Sequence, residues 1–288
     1  MDWLKKIKKE ACSKDRLIVF PEGEDSRIEE AARLIMDHKI ARVLLLSKKK
    51  IDGIETLPGG DNPLKKASRL VADGKCDGMV AGAEYKTAAV IRNSLRIIGI
   101  KDNTKIVSSF FLMSGDNKRL GQGGAYLFAD CAVMPDPTSK QLAEITKQSA
   151  RSAREILGWS PRVALLSFST KGSAKHKLVD KVQQTRKILD SQNLNFLYDG
   201  ELQLDAAVIP DIAQRKDKPG CLKGKANILI FPDLNSGNIS YKLAERLGGY
   251  SAVGPILQGF KKPVNDLSRG CGVHDIVNVT SVTVLQTD

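Results

Sequence analysis

The chain has 288 residues, more than one compact core requires and enough for two domains. Its 42% apolar and 27% charged residues fit an ordinary globular protein, and no run approaches the ~18 consecutive apolar residues of a membrane helix. The net charge of +12 suits polyanions, either nucleic acid or a small substrate bearing several phosphates. The lysines form only small clusters, at Lys5-Lys6, Lys8-Lys9 and Lys48-Lys49-Lys50. With no long basic arm and no interleaved aromatics, they read as solvated surface and not as a nucleic-acid footprint.

In chain order, the basic N-terminus has no apolar stretch and no small-residue cleavage site behind it, so no secretory signal is expected. Trp3, Leu4 and Ile7 fall on one side of a short amphipathic helix. Residues 16–20 read as a strand, followed by Pro21-Glu22-Gly23 and a helix from about Ser26. Ser26 and Glu29 have capping-box spacing, and Ile28, Ala31, Ala32 and Ile35 form an apolar face. Residues 42–46, 78–81, 105–111 and 130–134 are the next expected strands. Thr138 and Gln141 form a second capping box, opening a helix to about Leu157 with the stripe Leu142, Ile145, Ser149, Ala153 and Ile156, closed by Gly158.

The rhythm then repeats. Residues 163–168 read as a strand, 173–189 as a helix, 206–209 and 227–231 as strands, and 238–247 as a helix ended by Gly248-Gly249. Strand–helix alternation predicts βαβ units, hence an α/β fold with mostly parallel sheets and helices on both faces. A domain boundary is expected near residue 105. Residues 275–285 are ambiguous. Val277, Val279, Val282 and Val284 favour a strand by propensity, while Ile276, Thr280 and Thr283 sit at helical spacing.

The five cysteines are odd in number, scattered, and form no CxxC pair. They point to reduced thiols in the cytoplasm and against a disulfide framework or zinc site. None of the three histidines has metal-ligand spacing, so no metal is expected.

Open α/β sheets bind ligands at the carboxyl ends of their strands. Two polar loops follow expected strands and open expected helices: Ser169-Thr170-Lys171-Gly172-Ser173, and 232–238 with Asn235, Ser236 and Gly237. Backbone N–H groups at such helix starts attract anions; simple N-capping is the plainer reading. The densest polar cluster runs from Asn265 to Asp275 and holds Asp266, Ser268, Arg269, Cys271, His274 and Asp275. If a helix starts there, Ser268 and Asp275 lie about two turns apart on one face. A glycine-rich turn with a surface Arg–Asp pair is the alternative.

Asp266-Leu267-Ser268-Arg269-Gly270-Cys271, with Val273 and Asp275-Ile276-Val277-Asn278 behind it, resembles the C-terminal signature of phosphate acetyltransferases. The likeness extends in order to Ile230-Phe231-Pro232-Asp233-Leu234-Asn235-Ser236-Gly237-Asn238, Gly254-Pro255-Ile256-Leu257-Gln258-Gly259, Asp199-Gly200-Glu201-Leu202-Gln203-Leu204-Asp205, Phe128-Ala129-Asp130-Cys131 and Asp77-Gly78-Met79-Val80-Ala81-Gly82-Ala83. It implies two three-layer α/β/α domains of the isocitrate/isopropylmalate dehydrogenase type, 1–104 plus 256–288 and 105–255, with an inter-domain active-site cleft and a homodimer. It also makes residues 273–285 a helix, against their propensity.

The implied reaction is acetyl-CoA plus phosphate giving acetyl phosphate plus CoA, reversibly, with coenzyme A a substrate and no cofactor. By motif, Asp275 matches a general base for the CoA thiol, with a pKa raised by partial burial; Ser268 matches a hydrogen-bonding serine at the reacting centre, and Arg269 an arginine for phosphate. Arg246 and Arg92 match arginines of the substrate cleft. One departure stands out. The family carries a longer helical insertion, with another substrate-contacting arginine, where this chain has only residues 51–75, whose single arginine is Arg69.

Three alternatives are weighed. Cys271, its thiolate favoured by Arg269, could form an acyl-enzyme, with His274 read as helix surface. A longer acyl group such as butyryl would suit a compact relative. A non-catalytic basic binding protein would leave the Ser268–Arg269–Asp275 cluster without a role. A nicotinamide-dependent dehydrogenase is disfavoured, because no GxGxxG follows the first strand.

Overall fold

The first helix, α1 (Trp3–Ala11), forms as its amphipathic pattern predicts: Trp3 and Ile7 are buried and Leu4 is half-buried. The structure is a computed structural model that describes residues 2–218 and 220–287. The chain divides into two compact units, Asp2–Val107 with Val253–Asp288, and Ser108–Ala252.

In the first unit, β1 (Leu17–Phe20) leads to α2 (Ser26–Asp37) and β2 (Arg42–Leu46). These are followed by β3 (Glu55–Leu57), α3 (Pro63–Ala72), β4 (Gly78–Ala81) and α4 (Thr87–Ile97). The N-cap of α2 is Asp25, in extended backbone, whose carboxylate accepts the Arg27 N–H at 2.8 Å. The expected Ser26–Glu29 box therefore does not form. Ser26 is already inside the helix, and Glu29 pairs with Arg33 at 2.9 Å.

The second unit contains β5 (Ser108–Ser114), β6 (Ala125–Ala129), α5 (Ser139–Glu155), β7 (Arg162–Leu166), α6 (Lys177–Asp190) and β8 (Leu197–Leu202). Then come α7 (Leu204–Val208), α8 (Pro210–Lys216), β9 (Ile228–Ile230) and α9 (Leu234–Arg246). Its strands lie in the order β5-β6-β9-β7-β8, parallel except for β5 against β6. The Thr138–Gln141 box forms reciprocally, and the stripe from Leu142 to Ile156 is buried as expected.

Four expectations fail here for local reasons. Residues 130–134 are a loop and not a strand, because the buried Asp130 carboxylate takes the N–H groups of Ala132, Val133 and Met134 that a ladder would use. Residues 206–209 lie largely in the helix α7, which buries Ala206 and Ala207; so short an apolar run does not distinguish strand from helix. The helix expected from 173 begins at Lys177, capped by His176, because Ser173 is used within the preceding loop. The helix expected from 238 begins at Leu234, since Asp233 accepts the Ser236 N–H.

The chain leaves the second unit through β10 (Ser251–Gln258) and completes the first with β11 (Val264–Asp266) and α10 (Val273–Leu285). The first unit's sheet has the order β11-β4-β1-β2-β3, parallel throughout. Propensity alone fails for α10, whose helix agrees with the family resemblance. It packs against α1, α2 and β4, and Ile276, Val277, Val279, Val282 and Val284 are all buried. A helix covered on nearly every side shows no amphipathic stripe. Its buried hydroxyls are satisfied internally: Thr280, Ser281 and Thr283 donate to the carbonyls of Ile276, Val277 and Val279.

Candidate active site

In the first unit's sheet, β11, β4 and β1 are neighbours and run the same way. The loops leaving their carboxyl ends therefore share one edge, the position where open α/β sheets bind ligands. The loop after β1 organises that edge. The buried Glu22 carboxylate accepts N–H groups from Gly82 (2.8 Å) and Ala83 (3.2 Å) on one oxygen, and from Glu84 (2.7 Å) and Tyr85 (2.8 Å) on the other. It thereby fixes the loop that opens α4, the helix carrying the exposed Arg92.

β11 ends at Asp266, only 1% exposed. Burial pushes its carboxyl up to about 7, with the hydrogen bond from Thr87 opposing the rise and the nearby Glu22 charge adding to it. Gly82, at φ +112, approaches this residue closely: a Cβ there would stand 2.4 Å from Asp266 Oδ1 and 2.7 Å from the Leu267 nitrogen.

The loop 267–272 follows. Ser268 and Arg269 are exposed, and Ser268 Oγ accepts the Gly270 N–H at 3.3 Å. Because α10 starts at Val273, Ser268 sits in the turn before the helix and shares no helical face with Asp275. The expected partial burial of Asp275 is also absent: it is exposed in the first turn, where its carboxylate accepts the Gly272 N–H at 2.9 Å. His274 is exposed, as read from sequence. Cys271 is buried, and burial pushes its thiol up to about 11. The guanidinium beside it is that of Arg27, with Nη1 3.9 Å from Sγ, and not that of Arg269.

In the second unit, Ser169 and Thr170 are buried and engaged locally. Ser169 Oγ donates to Glu201 at 3.0 Å, Gly172 N–H donates to the same carboxylate at 2.6 Å, and Thr170 Oγ1 accepts the Gln203 N–H at 2.9 Å. Asn235, Ser236 and Gly237 lie in the first turn of α9, with Asn235 exposed. Gly237 has a packing reason to be glycine, since a Cβ would meet the Asp130 carbonyl oxygen at 2.3 Å. Arg246 is exposed in the last turn, 3.4 Å from Glu245. Among the described residues no group of three or more His, Cys, Asp or Glu is placed to hold a metal, and no helix is long and apolar enough to cross a membrane.

Sequence reasoning passed over Glu22 and Arg27. Glu22 was legible only as part of a turn and Arg27 only as part of a helix start.

Parallel α/β sheets with polar loops at the carboxyl edge define a protein of the open-sheet, ligand-binding class. Its fold is shared with 4-hydroxythreonine-4-phosphate dehydrogenase from Klebsiella pneumoniae, 10% identical, at a TM-score of 0.55 over 95% of this chain and 98% of the other. The likeness to a phosphotransacetylase from Streptococcus pyogenes is far greater, with 36% identity and a TM-score of 0.90 over 99% and 97% of the two chains. The phosphate acetyltransferase of Thermoanaerobacterium thermosaccharolyticum is 41% identical over 99% of each chain. The family model described as phosphate acetyl/butaryl transferase matches residues 2–59 and 57–284. The chain belongs to that family. The match breaks at residues 57–59, inside the stretch 51–75, and the alignment to the Thermoanaerobacterium relative spans 326 positions, more than this chain possesses. The end of β3, its short following loop and α3 stand where the family resemblance implies a longer helical insertion.

Proposed function

We propose that this chain moves an acetyl group reversibly between coenzyme A and inorganic phosphate. The observation that carries the reading is the family match along the whole chain; Ser268 and Arg269 stand in the loop at the carboxyl edge of a parallel sheet and Asp275 in the first turn of the helix that follows. A CoA thiol of pKa ~8.5 is mostly protonated at neutral pH, and its thiolate is the nucleophile. Asp275 takes the thiol proton as general base. The sulfur attacks the carbonyl carbon of acetyl phosphate, the new S–C bond forms, and the C–O bond to phosphate breaks. Ser268 donates a hydrogen bond to the developing oxyanion, and Arg269 binds the phosphate and its growing charge through its fork of donors. The reverse direction uses the same groups, with Asp275 returning the proton to sulfur.

Arg92 and Arg246 bind the anionic groups of the substrates. Asn235, Ser236 and Gly237 at the start of α9, with the loop shaped by Ser169 and Thr170, complete the substrate contacts. Coenzyme A acts as substrate and no further cofactor is used. The five free cysteines fit a reducing cytoplasm. A homodimer is supported by the exposed Ile239, Leu243 and Leu247 of α9 and the residue that caps it, which recur every four residues as an unpartnered apolar stripe.

The test is release of CoA from acetyl-CoA and phosphate by the purified protein, with propionyl- and butyryl-CoA in parallel. Acetyl-CoA is expected to give the highest kcat/KM. A preference for butyryl-CoA would move the reading to a longer acyl group, and no release from any of the three would refute it.

A further inference from the structure

We propose that Arg27 is a positioning residue for acetyl transfer, its guanidinium holding the backbone of the Ser268–Cys271 loop in its working shape. The inference rests on the reading of that loop as catalytic.

Arg27 uses all its nitrogens. Nε and Nη2 grip the two oxygens of Asp25, at 3.1 and 2.6 Å. Nη1 donates to the carbonyls of Arg269 (2.9 Å) and Cys271 (3.0 Å). Nη2 also reaches the carbonyl of Ala83 at 3.0 Å. Asp25 is itself fixed as the cap of α2. One side chain thus ties three carboxyl-edge loops, those after β1, β4 and β11. Glu22, on the same β1 loop, fixes the β4 loop through four N–H groups.

Within the held segment the other hydrogen bonds are short-range: Cys271 N–H to the Ser268 carbonyl (2.8 Å), Gly270 N–H to Ser268 Oγ (3.3 Å) and Gly272 N–H to Asp275 (2.9 Å). Ser268, Arg269, Gly270 and Gly272 are exposed, and its two glycines carry the greatest conformational freedom per residue. Core packing engages only Leu267 and Cys271. The carbonyls flanking Gly270 are where the loop is tied to another element, and Arg27 ties them. Because Arg27 spends its guanidinium on backbone, Arg269 keeps its own for substrate. A lysine cannot substitute, since its compact ammonium lacks the planar fork that reaches Asp25 and three carbonyls together. Misplacing a reacting group by about 1 Å costs on the order of 100-fold in rate.

The experiment measures kcat, both KM values and the melting temperature for Arg27→Ala and Arg27→Lys, each alone and combined with Arg269→Ala. Arg27→Ala is expected to lower kcat by about 10- to 100-fold with the KM for CoA little changed. Arg27→Lys should recover only a small part. Added guanidinium ion should restore some of the Arg27→Ala rate where methylammonium does not. In the Arg269→Ala background the same replacement should cost much less, because the loop's own guanidinium, the group being positioned, is gone while the carbonyl that Arg27 holds remains. Unchanged kcat in Arg27→Ala, the same fold-loss in both backgrounds, or a loss that merely tracks the folded fraction would overturn the proposal. If Arg27→Ala does not fold, Arg27→Lys carries the cycle, and parental kcat in it would be equally fatal. Parental turnover in Arg269→Ala alone is a different result: it removes the catalytic reading of the loop.

Discussion

The carboxylate of Asp275 accepts the backbone N–H of Gly272 at 2.9 Å. One oxygen is thus tied to the start of α10, which fixes the side chain, while the residue as a whole stays exposed. Asp275→Asn retains an acceptor for that N–H and removes the basicity. Turnover should fall by ~100-fold or more, the scale of a lost general base, with the melting temperature close to that of the parent. Near-parental turnover would strip Asp275 of the role.

Arg269 contributes its backbone carbonyl to the loop's framework and leaves an exposed side chain. Arg269→Ala should therefore spare the fold and raise the KM for phosphate while lowering kcat by about 100-fold. Saturation with phosphate at fixed acetyl-CoA measures both. An unchanged phosphate KM would place the anion elsewhere.

Cys271 is 6% exposed with its thiol pushed up to about 11 by burial, the Arg27 charge offsetting only part of that rise. A thiol in that state is a poor nucleophile at neutral pH. Cys271→Ala should keep turnover within a few-fold of the parent. Near-complete loss, with phosphate and CoA still bound, would restore a covalent acyl-enzyme.

Much of the fold was legible in the sequence where one local rule decided it. β2 (Arg42–Leu46) and β4 (Gly78–Ala81) are bounded as expected, because each is a short, mostly buried apolar run following a polar break. Thr138 and Gln141 declare α5 through a reciprocal cap. The failures occur where a distant or buried partner decides. Asp130 diverts three N–H groups from a ladder, and α10 is β-branched yet helical because it is enclosed by other elements. For the candidate site, the motif proposes Ser268, Arg269 and Asp275. It does not propose Arg27, since its partners Arg269 and Ala83 lie 242 and 56 residues away.

Gly237 tests whether packing alone explains a residue first read as substrate-binding. Its missing Cβ admits the Asp130 carbonyl oxygen, which a methyl would approach to 2.3 Å. Backbone must shift to relieve that clash, so Gly237→Ala should lower stability by about 1–3 kcal/mol, seen as an earlier urea midpoint. An unchanged midpoint with a raised substrate KM would instead favour direct contact with substrate.

Asp266 should make stability depend on pH in a direction opposite to that of a salt-bridged carboxylate. Burial lifts its carboxyl from the ordinary 3.8 to about 7, against the bond from Thr87. Between those values the folded chain holds a proton that the unfolded chain has released. Stability from this group is therefore greatest near pH 4, falls as pH rises through the window, and levels off above about 7. The full swing is at most about 4 kcal/mol. Asp266→Asn keeps an acceptor for Thr87 and has no proton to lose. Melting temperatures of parent and variant should nearly coincide at about pH 3.5, below the window, with the variant the more stable at pH 8. A parent that gains on the variant as pH rises would mean that Asp266 is held ionised.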